Sequence, residues 1–250
     1  MFVDGESGFD LETQNIEVPP SLMLHSASQP LMADFLSVLK KNNIGTITYE
    51  NLLSKYVLGK KETTKGEILL SLDDFGTDWT SPSHKRIIEV ISDEGMVGTL
   101  GVVTNSGDSG NWGYLKELST KGWEIAIHTV HHCLLPQLTD KQLKEEIEVS
   151  YKLIERNIGK PPVSIILPFG IIERKDGETE GENGFDNRIF EICKDLGIWW
   201  IVGIKDGKNI SGKPPYYVGR IPPSSDHDAN TTLNLLNGSF MKGEPTVTRP

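Results

Sequence analysis

Glu67-Ile68-Leu69-Leu70-Ser71-Leu72-Asp73-Asp74 is an apolar run that ends on two adjacent carboxylates. A short, nearly unbroken run of Leu and Ile reads as a strand buried on both faces, which a parallel sheet covered by helices provides. The strand is expected over Glu67–Leu72, delivering Asp73 and Asp74 where it ends. Successive strand residues point to opposite faces, so two neighbouring aspartates can serve one site only where the strand stops and the chain turns.

The sequence on either side alternates between two periods. Strand signals fall at Ser21–Leu24, Ile44–Tyr49, Met96–Val103, Trp123–Ile127, Val163–Leu167, Trp199–Ile204 and Tyr216–Ile221. Helical spacing of apolar residues marks Leu31–Lys41, Ser83–Glu94, Tyr114–Lys121 and Phe185–Leu196, with shorter helical pieces at Tyr49–Tyr56 and Asn230–Leu236. The clearest helix covers 140–158: Thr139 and Gln142 form a capping box, Leu143, Ile147, Ile154 and Ile158 make one stripe, and Gly159 and Pro161 end it. Strands alternating with helices favour a parallel sheet with crossover helices, either a barrel or a doubly wound layer.

At 250 residues the chain reads as one domain, with an irregular arm at 1–20, a body over 21–240 and a tail at 241–250. A formal charge of -10 argues against nucleic acid or an anionic membrane surface as the main partner. No stretch reaches the roughly 18 apolar residues of a membrane span. The acidic start lacks the basic and apolar segments of a signal peptide. Cys133 and Cys193 are too few for a disulfide scaffold. Cys133 follows a histidine cluster and is weighed as a further metal ligand, against the commoner role of a small buried thiol.

The candidate chemical residues all follow strand ends: His25, Asp73 and Asp74, the run His128-Thr129-Val130-His131-His132, and Pro168-Phe169. In α/β barrels the active site gathers on that one face. His128 and His132, four apart, can bind one ion from one side of a turn. Two imidazoles and a carboxylate leave coordination positions open, as a catalytic ion requires. Such an ion polarises a carbonyl and acidifies water. Zinc suits the set, and cobalt, nickel or iron can occupy the same ligands. One aspartate would bind the ion and the other would address the water.

With these residues in place, the chain resembles the polysaccharide deacetylases, metal-dependent carbohydrate esterases. Their T-F-D-D-G motif is read here as Ser71-Leu72-Asp73-Asp74-Phe75, and H-[S/T]-x-x-H is matched in full by His128–His132. R-x-P-[F/Y] is met by Ile166-Leu167-Pro168-Phe169, without the arginine. Leu167-Pro168-Phe169-Gly170, an apolar strand ending at His25, and Ile44-Gly45-Thr46-Ile47-Thr48 are similar to the exopolysaccharide (poly-N-acetylglucosamine) deacetylase branch. The resemblance implies a distorted (β/α) barrel and hydrolysis of acetyl groups from an N-acetylated glycan. It implies one divalent metal held by Asp74, His128 and His132, with Asp73 as general base and the backbone N–H near Phe169 at the oxyanion. His25 would be the general acid, with His227 as its rival. The family also implies a place in the cell envelope or outside the cell.

Two departures bear on activity. Phe75 replaces a glycine beside a ligand and is expected to narrow the site or alter substrate access. The missing arginine leaves the base to be oriented by another group. Two alternatives stay open: an inactive glycan-binding or structural protein on the same fold, and an amidase on a small N-acyl substrate. Trp79 and Trp199-Trp200 are weighed as sugar platforms, and loop 173–184, with five acidic residues and three glycines, as a flap.

Overall fold

A computed structural model describes residues 18–24, 29–58, 66–75, 82–105, 111–174, 184–204, 214–222 and 229–234. His25, Trp79, His227, most of the N-terminal arm, the C-terminal tail and the middle of loop 173–184 lie outside the described residues.

Among the described residues strands and helices alternate: β1 (Ser21–Leu24), α1 (Gln29–Lys41), β2 (Gly45–Ile47), α2 (Tyr49–Asn51), β3 (Glu67–Phe75), α3 (Pro82–Asp93) and β4 (Thr99–Val102) come first. They are followed by α4 (Trp112–Thr120), β5 (Glu124–Ile127), α5 (Asp140–Ile158), β6 (Ser164–Ile166), α6 (Asn187–Asp195), β7 (Trp200–Gly203) and β8 (Tyr216–Gly219). The short helix α2 continues as a wider π-wound segment over Leu52–Leu58. Residues 229–234 are also helical.

All strand pairs are parallel, in the order β1-β3-β4-β5-β6-β7-β8, with β2 beside the first residues of β3. The sheet then closes on itself. Leu22 bridges Ile221 just beyond β8: Met23 N–H donates to Ile221 C=O at 3.1 Å, and Ile221 N–H to Ser21 C=O at 2.8 Å. Of the two architectures the sequence left open, the chain adopts the barrel. Its ring is distorted, because β2 stands outside the closing order.

The alternation along each strand builds two apolar layers. Ile68, Leu70 and Leu72 of β3 face outward, joining Ile87, Ile91, Leu143 and Ile147 beneath the helices. Leu69, Ala126, Ile166, Trp200, Val202, Tyr216 and Val218 face inward and fill the barrel. Trp200 is therefore core, and Trp199 precedes β7 at the end opposite the strand C-termini, so neither ring reaches the barrel mouth. The helix at 140–158 has the expected bounds, with its capping box formed and Gly159 left-handed at φ 93°. Most other strands are a residue or two shorter at an end than their apolar patterns suggest, and β3 is three residues longer at its end.

Candidate metal centre

β3 does not stop at Leu72. Its pairing with β4 slips between Leu72 and Phe75 and resumes at Phe75 opposite Val102. The slip is taken up at Asp74, which is left-handed at φ 60°. Asp73 follows Leu69 and Ser71 onto the inner face by alternation. The bulge turns Asp74 toward the same mouth, so both carboxylates can face one mouth of the barrel without the strand ending. Phe75 is thereby sent outward: it is buried and stacks on Tyr114 of α4 at 6.3 Å between ring centroids. The expected narrowing of the site by Phe75 does not occur, because its ring lies in the layer beneath the helices.

The inner face of β5 runs Glu124, Ala126 and then His128 just past the strand end. His128 is 1% exposed; Gly101 on β4 leaves it room, since a Cβ there would meet its Cγ at 3.3 Å. His128 donates from Nδ1 to Ile166 C=O at 2.8 Å, which leaves the Nε2 lone pair facing Asp74 Oδ1 at 3.1 Å. His132 Nε2 lies 2.9 Å from the same oxygen. Ligand atoms of Asp74, His128 and His132 all fall within 4.8 Å of one another, forming a group that can hold a metal ion. The donor set fits a cation. An imidazole whose other nitrogen is committed to a backbone carbonyl is the usual arrangement of a metal-bound histidine, and its lone pair cannot rest against a carboxylate oxygen unaided. Burial pushes the Asp74 carboxyl up, but the His128 and His132 side chains override it and hold it well below the usual carboxylate range.

Phe169 sits in the turn Pro168–Gly170 after β6, left-handed at φ 58° and 55% exposed. Its ring lies 4.7 Å from that of His132, at the open side of the group. Gly170, at φ 65°, has no room for a side chain: a Cβ there would collide with the Ile204 side chain. Cys133 does not join the ligands. Its Sγ turns to Glu146 Oε1 at 4.0 Å, and burial, then that carboxylate, push its thiol up.

Sequence reasoning missed Arg220. It follows β8 on the inner face, is fully buried, and donates from Nη1 to Asp73 Oδ1 at 2.5 Å and to Ser71 Oγ at 3.0 Å. Nε donates to Gly203 C=O at 3.2 Å. The arginine absent before Pro168 is thus matched by a guanidinium from a different strand. An arginine closing the apolar run Tyr216-Tyr217-Val218-Gly219-Arg220 was the available signal, at the strand end where the other site residues lie.

The C-terminal rim of a parallel barrel thus carries an Asp-His-His group that could hold a metal ion, beside an aspartate paired to a guanidinium. The chain belongs to the polysaccharide deacetylase family, whose model matches residues 60–187, over half of the sequence. The fold is similar to that of Streptococcus pyogenes deacetylase PplD in complex with acetate, at 16% identity and TM-score 0.71, over 89% of this chain and 99% of that one. It is also similar to IcaB from Ammonifex degensii, at 14% identity and TM-score 0.63, over 88% of this chain and 97% of that one. A de-N-acetylase from Aggregatibacter actinomycetemcomitans matches at 17% identity and TM-score 0.64, over 87% and 97% of the two chains. No curated protein matches in sequence. Among the described residues, no helix is long and apolar enough to cross a membrane.

Proposed function

We propose that this chain is a metal-dependent deacetylase that releases acetate from an N-acetylated glycan. The observation that carries the reading is the convergence of His128 Nε2 and His132 Nε2 on Asp74, beside an Asp73 already held by Arg220. Asp74, His128 and His132 would hold one divalent ion, zinc by the chemistry of the donors. When bound, the ion supplies polarisation of the acetyl carbonyl and a lowered pKa for water.

The chain's own residues do the rest. Asp73 takes a proton from the attacking water, and Arg220 fixes which oxygen it offers. The backbone N–H at Phe169 donates to the oxygen that gains charge as water adds to the carbonyl carbon. The C–N bond then breaks, acetate leaves, and the amine takes a proton from His25. The exposed Phe169 ring offers an apolar face to a sugar at the open side of the group.

The test is acetate release from N-acetylated oligosaccharides, with metal content measured alongside. Asp73→Asn is expected to abolish release while zinc stays bound. Release from small N-acyl amides but not oligosaccharides would favour an amidase. A zinc-loaded chain that binds N-acetylated glycan without releasing acetate would overturn the proposal in favour of a binding protein.

A further inference from the structure

The segment between the two histidines is under backbone strain. Thr129 stands at φ 68° and His132 at φ 57°, both left-handed, and a β-branched residue occupies that region only at a cost. Several of the segment's polar backbone groups are tied to other parts of the chain. Thr104 N–H donates to Thr129 C=O at 3.1 Å, and Asn105 N–H to Val130 C=O at 3.0 Å, both from the chain following β4. His132 N–H donates to Thr129 Oγ1 at 3.0 Å.

Two further N–H groups of the segment meet on one carboxylate. Val130 N–H and His131 N–H both donate to Glu146 Oε2 at 2.9 Å, and His131 donates from Nδ1 to Glu146 Oε1 at 2.6 Å. Glu146 is a buried charge in the core-facing stripe of α5, between Leu143, Ile147 and Ser150. A carboxylate in such a stripe costs stability unless it is hydrogen-bonded, and here the strained segment supplies three donors, with Cys133 Sγ at 4.0 Å beside them.

We infer that Glu146 is a positioning residue for the metal centre: it holds residues 129–132 in the strained path that brings His132 Nε2 to Asp74. His128 is placed by β5 and by Ile166, whereas His132 has no strand of its own and depends on this tie. The inference rests on the metal-centre reading above. It concerns the geometry of one ligand and leaves the chemistry to Asp73.

The experiment measures zinc affinity of the full chain by chelator competition, together with amide hydrogen exchange at Val130 and His131 in metal-free protein. Glu146→Ala is expected to weaken zinc binding by about ten- to a hundredfold, the usual effect of removing a ligand's supporting group, and to speed exchange at both amides. Glu146→Gln keeps an oxygen for the two N–H groups and is expected to restore affinity to within roughly threefold, a rescue that general loss of packing does not give. Glu146→Leu, which fills the volume without accepting hydrogen bonds, replaces the alanine variant if that one fails to fold. Glu145→Ala removes an exposed carboxylate from the same helix and is expected to change neither readout. Unchanged affinity and unchanged exchange in Glu146→Ala would overturn the inference. Zinc binding absent from the unsubstituted chain would instead overturn the metal-centre reading, and the exchange rates would still decide the role of Glu146.

Discussion

Arg220 donates to Asp73 across the barrel mouth, from the end of β8 to the end of β3, with both side chains buried. The family's usual arginine precedes Pro168; here Ile166 stands there, and its carbonyl serves His128 instead. One guanidinium reaches Asp73, Ser71 and Gly203 together, which a single ammonium cannot reproduce. Arg220→Lys is therefore expected to lower kcat by about a hundredfold, as a misplaced reacting group does. Zinc affinity is expected to stay within threefold, because no ligand is touched. Arg220→Met leaves Asp73 buried and unpaired, at a cost of about 3–5 kcal/mol in unfolding free energy. Steady-state kinetics beside a zinc titration check the first expectation, and denaturant unfolding checks the second. A lysine variant with full kcat would show that Asp73 needs no fork to orient it.

The same geometry bears on stability through the ligands. A folded chain that holds zinc at Asp74, His128 and His132 gains about 2.7 kcal/mol at a hundred times the dissociation constant. Zinc is expected to raise Tm in the unsubstituted protein and to leave it unmoved in Asp74→Ala. That variant removes the oxygen both imidazoles share. Chelator treatment is expected to return the unsubstituted protein to its metal-free Tm. An equal zinc-induced rise in Asp74→Ala would place the ion elsewhere.

Period carried most of what the sequence could say. The 3.6-residue stripe and its caps located α5 to the residue, and the apolar runs located the strands, because burial on both faces leaves few other readings. Asp73 and Asp74 misled the end of β3: polar residues ordinarily close a strand, but here the barrel interior supplies Arg220 and two imidazoles to receive them. The left-handed Asp74 had no sequence signal, since Asp enters that region without a glycine to mark it. Its consequence, the outward turn of Phe75, was equally hidden. Arg220 and Glu146 were visible as charges inside apolar patterns. Their roles depended on what lay across the barrel or beneath the helix, which one strand or one stripe cannot show.

Glu124 gives a pH prediction that concerns the fold rather than the site. It stands on the inner face of β5, four residues before His128 and at the other end of the barrel. Its carboxylate accepts from Thr99 Oγ1 at 3.0 Å, from Ser164 Oγ and from Glu50 N–H at 2.9 Å, while Glu50's own carboxylate is held by Lys160. Burial pushes its pKa from the ordinary 4.5 up to about 7; the hydrogen bonds from Ser164, Glu50 and Thr99 only partly offset this, and the Glu50 charge adds to it. Between those two pH values the folded chain keeps a proton that the unfolded chain has lost, so stability falls as pH rises. At about 1.4 kcal/mol per unit the loss is of order 3 kcal/mol, complete above the folded value and absent below the unfolded one. Glu124→Gln is expected to flatten that fall: its oxygen serves Glu50 N–H and Thr99, and its amide donates to Ser164. Unfolding free energies at pH 5 and pH 8 for the two proteins check this. A drop between those pH values that is the same size in both would show that Glu124 is ionised throughout and that the slope belongs to other groups.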